Sequence, residues 1–229
     1  MKQFYFLIPV IAVLISFAGA DEPKTVSIFN GKDLDGWDGR AGAWEVRDGE
    51  IWCTGTAKEK NWLIWRKKEP AEFVLTLEFR WQAGNSGVQV RSDDLGDHQV
   101  FGYQVEVARQ EVMGLWHHSL LAKDHPRKEQ RHLMALAGEI VTLDSAGGKE
   151  VDAFGDGEEI KELYRENDWN TLEITAMGDT LIQKINGFVF STVIDRDETM
   201  LRKKGFIALQ DHGKGCVVGF RNIELKELP

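Results

Sequence analysis

Three short segments of the chain each place a side-chain amide two residues from an ionisable group: Gln89 with Arg91, Gln104 with Glu106, and Gln210 with His212. Successive side chains of an extended strand point to opposite faces, so residues two apart share one. Amides and a guanidinium can hold sugar hydroxyls or a carbonyl, while a carboxyl and an imidazole can move protons near neutral pH. Polar residues on solvent-facing strand positions are most often plain surface. What sets these apart is recurrence, because the same pairing returns in three otherwise apolar strands. If the three faces meet, they describe a site for a neutral sugar.

The surrounding pattern supplies the strands. In Phe206–His212 a period of two puts Ile207 and Leu209 on one side and Ala208, Gln210 and His212 on the other, ahead of Gly213, Gly215 and a return strand with Phe220, Arg221 and Asn222. Phe73–Trp81 alternates most clearly, with Phe73, Leu75, Leu77, Phe79 and Trp81 on a core face. Asn85-Ser86-Gly87 then turns the chain into Val88–Arg91, and Tyr103, Val105 and Val107 alternate with Gln104 and Glu106. Asp48-Gly49 and Asn186-Gly187 are strong two-residue hairpin signals. Further strands are expected at Asn61–Trp65, Glu139–Leu143, Trp169–Ile174, Thr180–Ile185 and Phe188–Ile194. One helix is expected, capped by Asp156 with Glu159 three residues on and a stripe of Ile160, Leu163 and Tyr164. About a dozen short strands with little helix predict an all-β sandwich or jelly roll of two antiparallel sheets, with the short helix in an insertion.

The chain has 229 residues. Lys2, the apolar run Phe4–Phe17 and the small residues Ala18-Gly19-Ala20 form a secretory leader, residues 1–20, with residues 21–229 as a single domain. The expected location is therefore periplasmic or extracellular, with no membrane attachment after cleavage. A formal charge of −9 disfavours nucleic acid and anionic membranes as partners and suits a small neutral carbohydrate. Export would permit the two cysteines, Cys53 and Cys216, to pair, but each also fits a buried thiol in a strand.

The ordered motifs resemble a known family. Phe29–Trp37 (F-x-G-x-x-L-x-G-W), Trp44–Ile51 (W-x-V-x-D-G-x-I), Asn85–Arg91 (N-S-G-x-x-x-R), Gly102–Val107 (G-Y-x-V-x-V), Trp169-Asn170, Ile185–Gly187 (I-N-G), Leu209–Gly213 (L-Q-x-H-G) and Phe220–Ile223 (F-R-N-I) are similar to the 3-keto-disaccharide hydrolase domains. The resemblance implies a concanavalin A-like jelly roll, secretion, and cleavage of glycosides whose C3 hydroxyl has been oxidised to a ketone. It also implies a sugar 3-dehydrogenase acting upstream. His212 and Arg91 match their motif positions. The family strand commonly carries Glu before Gln, whereas here Gln104 precedes Glu106, which moves the carboxyl roughly 6 to 7 Å along the same face. On this reading His212 or Glu106 removes the C2 proton and the other protonates the leaving oxygen. Arg91, with Gln104 or Asn85, stabilises the enolate, and Trp116 stacks on a sugar ring. Gln89 and Gln210 complete the substrate contacts. A non-catalytic carbohydrate-binding module would use the same face.

Two other signals are weaker. Glu150-Val151-Asp152-Ala153-Phe154 resembles the E-x-D-x-x-E strand of laminarinase-like glucanases, but Gly155 stands where the second carboxylate belongs. His117, His118, His125 and His132 cluster in sequence without a zinc spacing. No cofactor is expected, and a structural calcium at a loop leaves no signal to read.

Overall fold

The computed structural model describes residues 23–118 and 134–229. The expected leader, residues 1–20, lies outside these residues, as do His125 and His132.

Among the described residues seventeen strands build two sheets. The first half of the chain supplies β1 (Thr25–Ser27), β2 (Trp37–Asp38), β3 (Trp44–Arg47), β4 (Glu50–Cys53), β5 (Asn61–Trp65), β6 (Phe73–Ala83), β7 (Ser86–Gly96), β8 (Gln99–Val107) and β9 (Gly114–His118). The second half supplies β10 (Ala135–Leu136), β11 (Glu139–Leu143), β12 (Lys149–Ala153), β13 (Asn170–Met177), β14 (Thr180–Ile185), β15 (Phe188–Asp195), β16 (Phe206–Asp211) and β17 (Val217–Glu227). The larger sheet runs β12-β11-β15-β14-β13-β6-β17-β4-β3, with β1 added on β17; the smaller runs β10-β9-β8-β7-β16-β5-β2. Among the described residues all pairings are antiparallel but one, since β11 lies parallel to β15.

Alternation decides the packing. Phe73, Leu75, Leu77 and Phe79 of β6 face Val88, Val90, Tyr103, Val105, Leu209 and Leu63 of the smaller sheet, and all are buried in one core. The hairpin turns form as expected: Asp48 and Gly49 have φ of 53° and 79°, and Asn186 and Gly187 have 51° and 86°, the left-handed pair that a tight hairpin demands. The helix is shorter than its apolar stripe. α1 covers only Gly157–Lys161, with Asp156 Oδ1 accepting from the Glu158 amide at 2.8 Å. Tyr164 has left the helix to stack on Phe79 at 5.8 Å and to donate its hydroxyl to Ala108 O at 2.9 Å.

The Glu150–Phe154 segment contributes β12, an edge strand of the larger sheet exposed along its whole length. On the outer face of that sheet Arg47, Trp52, Arg80, Trp169 and Arg221 alternate as cations and rings, each guanidinium 4.0 to 5.0 Å from a ring centroid.

Candidate active site

The strands of the smaller sheet bring two of the three ionisable groups to one end of one face. Across the sheet, Glu106 of β8 lies opposite Gly87 of β7, Gly87 opposite Gln210 of β16, and Gln210 opposite Trp62 of β5. One step along, Trp116, Gln104, Gln89 and Ala208 form the next row. This face is turned away from the core, because its neighbours in sequence, Val88, Val105 and Leu209, are the core residues. The face is nevertheless enclosed: Trp62, Gln89, Gln104, Glu106 and Gln210 are all buried, and Trp116 is half-buried.

Gly87 makes the arrangement sterically feasible. A Cβ there would lie 2.4 Å from Cδ of Gln104, so the Gln104 side chain lies over the bare backbone of β7. From this position Gln104 Nε2 donates to Glu106 Oε2 at 2.8 Å and to Gln210 Oε1 at 3.0 Å, while its Oε1 accepts from Trp62 Nε1 at 3.4 Å. Among the described residues Gln210 Nε2 and Asn85 Oδ1 are buried without a hydrogen-bond partner, a donor and an acceptor on two side chains that flank the Gln104–Glu106 pair.

Asn85 links the two proton-transfer groups. Its carbonyl accepts from the His212 amide at 3.3 Å, and its side chain is one of two that hydrogen-bond Glu106. Burial pushes the Glu106 carboxyl up to about 7, against the downward pull of Gln104, Asn85 and the Lys60 ammonium. His212 is exposed, yet partial burial first, and Lys60 second, hold its imidazole below the ordinary histidine value. Lys60 is itself lowered by burial and partly restored by Glu106. At neutral pH the site therefore pairs a neutral imidazole with a carboxyl that is close to half-protonated. The reversal of Gln104 and Glu106 relative to the family strand does not remove the carboxyl from the cluster.

Arg91 is a correction. It does not reach this end of the face. Gln89 and Arg91 fail to share a face because the register of β7 against β8 shifts between Val90 and Asp93, and Arg91 itself takes φ of 48°. Its side chain, fully buried, donates from Nε to Ala71 O at 2.9 Å and from Nη1 to Gly178 O at 2.8 Å, with Glu72 Oε1 at 3.5 Å from Nη2. These partners lie at the start of β6 and in the β13–β14 turn, four residues of β7 away from Gly87, or about 13 Å. The role of oxyanion donor passes from Arg91; its work is to tie the two sheets together.

Lys60 is the residue that sequence reasoning missed. It precedes β5, outside any alternating pattern, and only the fold carries it to Glu106 and His212. Trp62 was legible merely as part of a strand. Trp116 lies on the expected face, with Nε1 donating to Val112 O at 3.2 Å. His117 turns to the other side, edge-on to Phe101 and Tyr103 at 4.8 and 5.2 Å; the rest of the expected histidine cluster, His125 and His132, lies outside the described residues. Among the described residues the one group of possible metal ligands is Cys53, Asp211 and Cys216, all buried.

The two sheets define a concanavalin-like β-sandwich, and its amide-lined acidic face suits a carbohydrate ligand. Residues 24–226 match the family described as the 3-keto-alpha-glucoside-1,2-lyase-like domain, and the chain belongs to that family. No curated protein matches it in sequence. Among solved structures it is similar to a candidate glycosyl hydrolase from Parabacteroides distasonis, at 20% identity and TM-score 0.58 over 90% of this chain and 100% of that one. It is also similar to the carbohydrate-binding module CBM66 from Bacillus subtilis, at 14% identity and TM-score 0.54 over 84% and 96% of the two chains. A galectin-like protein of unknown function from Bacillus subtilis gives 11% identity and TM-score 0.55 over 89% and 94%. At these identities the likeness is one of fold.

Proposed function

We propose that this protein cleaves 3-keto-glycosides by elimination followed by hydration. The observation that carries the reading is the pairing, through Asn85, of a buried carboxyl held at about 7 with a neutral imidazole. A ketone at C3 acidifies the C2 proton. His212 takes that proton, the electron pair forms the C1–C2 double bond, and the C1–O bond breaks as protonated Glu106 gives its proton to the departing oxygen. Water then adds across the double bond, hydroxyl to C1 and proton to C2, releasing the 3-keto sugar. Charge that develops on the C3 oxygen is met by the Lys60 ammonium and by the free donor of Gln210. Such a substrate requires an upstream oxidation of the C3 hydroxyl by a sugar 3-dehydrogenase, and the leader would send the protein to an exported sugar pool.

Incubation with a 3-keto-disaccharide and with its unoxidised parent tests the reading. Product is expected from the ketone alone, with loss of turnover in both Glu106→Gln and His212→Ala. Full turnover in either variant overturns the assignment. A carbohydrate-binding module is the competing reading, supported by the likeness in fold to CBM66; sugar binding without turnover, unchanged in His212→Ala, would establish it.

A further inference from the structure

Behind the proposed site, on the core side of β16, lies a second cluster that the proposed chemistry does not use. The sulfurs of Cys53 and Cys216 and a carboxylate oxygen of Asp211 all fall within 4.8 Å of one another, and all three residues are buried. Alternation explains the placement: Gln210 and His212 face the site, so Asp211 between them points inward. Cys53 ends β4, and Cys216 stands in the turn Gly213–Cys216 that joins β16 to β17. Asp211 has local work of its own, since Oδ1 accepts from the Gly213 amide at 2.9 Å and so closes that turn. Apart from each other and Asp211, the thiols have weak main-chain partners, Gln210 O at 3.8 Å and the Val218 main chain for Cys53, and Asn85 O at 3.3 Å for Cys216. Among the described residues no Lys, Arg or His acts on the Cys53 thiol, the surroundings a catalytic thiolate would need.

We propose that Cys53 and Cys216 form a disulfide that staples the end of β4 to the β16–β17 turn. The sulfurs are already adjacent, and closing to bonding distance moves them by at most about 3 Å. The reaction is thiol–disulfide exchange with an exogenous disulfide such as oxidised glutathione or an oxidised dithiol protein. Cys216 loses its proton and attacks one sulfur of the oxidant, giving a mixed disulfide and expelling one thiolate. Cys53, deprotonated in turn, attacks the Cys216 sulfur and expels the second. Two protein thiols are oxidised and one disulfide is reduced to two thiols. Because both sulfurs are inaccessible in the closed fold, pairing occurs while the Gly213–Gly215 turn is open, before β17 docks. Once made, the staple holds Asn85 and Gln210, whose carbonyls it touches, from behind. The inference does not depend on the proposed activity.

Secreted protein, denatured in excess alkylating agent without reductant, is expected to take up no adduct and to be two hydrogens lighter than the same chain after reduction. It should take up two adducts after reduction and yield a peptide containing Cys53 linked to one containing Cys216. Reduction should lower the thermal midpoint by roughly 10 °C, and a Cys53→Ser/Cys216→Ser double variant should sit at the lower value and ignore reductant. Two adducts without reductant, after refolding in oxidised glutathione, would overturn the proposal. So would a metal ion retained with both thiols reduced. Should the double variant fail to fold, the wild-type mass measurement decides by itself.

Discussion

Gln104 lies across the backbone of Gly87, and a Cβ on that glycine would sit 2.4 Å from its Cδ. This contact explains why a glycine follows Asn85-Ser86: it is the gap through which one amide reaches Glu106 and Gln210 together. Gly87→Ala is therefore expected to swing Gln104 out of place and strand Glu106 with one fewer donor. Turnover should fall by at least about tenfold, with a loss of roughly 1 to 3 kcal/mol in chemical denaturation. Wild-type kinetics in this variant would mean that the Gln104 bridge is idle.

The Glu106 carboxyl rises from 4.5 in the unfolded chain to about 7 in the fold, so the native state binds the extra proton between those values. Stability contributed by this group is complete below about 4.5, declines as pH rises, and is lost above about 7, a swing of about 3 kcal/mol at 1.4 kcal/mol per unit. Glu106→Gln, which is neutral throughout, should flatten the wild-type slope between pH 4.5 and 7. Urea unfolding at a series of pH values measures it, and equal slopes in the two proteins would remove the buried acid from the account.

Activity should follow a bell in pH. The acid limb is set by protonation of His212, below the usual histidine value, and the alkaline limb by ionisation of Glu106 near 7. Lys60 holds both groups down. In Lys60→Met both limbs of kcat/KM are expected to move to higher pH, with a lower maximum because the enolate has lost its cation. Limbs that stay in place would show that Lys60 is too well solvated to act.

Arg91 should matter to folding more than to chemistry. Removing it in Arg91→Ala strips hydrogen bonds from Ala71 O and Gly178 O inside the protein, at a cost of about 3 kcal/mol or more. The folded fraction is expected to keep its kcat. A large fall in kcat with unchanged stability would return Arg91 to the catalytic list.

Much of this was legible in the chain because it is local. The alternation in Phe73–Trp81 fixes which side chains enter the core, Asp48-Gly49 and Asn186-Gly187 supply the backbone twist of their hairpins, and Gln104, Glu106, Gln210 and His212 follow from a period of two. The same local rule misplaced Arg91, since a register shift against a neighbouring strand is not written within the strand that shifts. Tyr164 likewise left the helix, because burial against Phe79 outweighed a weak local preference for another turn.

What the sequence determined by itself was an alternating β chain with amides, a carboxyl and an imidazole on one set of faces, because each of those choices rests on neighbours in the strand. Only the tertiary structure decided which of them meet. Strand order across the smaller sheet put Glu106 and Gln210 on either side of Gly87 within reach of Gln104, a loop brought Lys60 to both proton-transfer groups, and a turn laid Cys216 against Cys53. Those encounters join residues far apart in the chain, and they depend on register and closure that no local periodicity encodes.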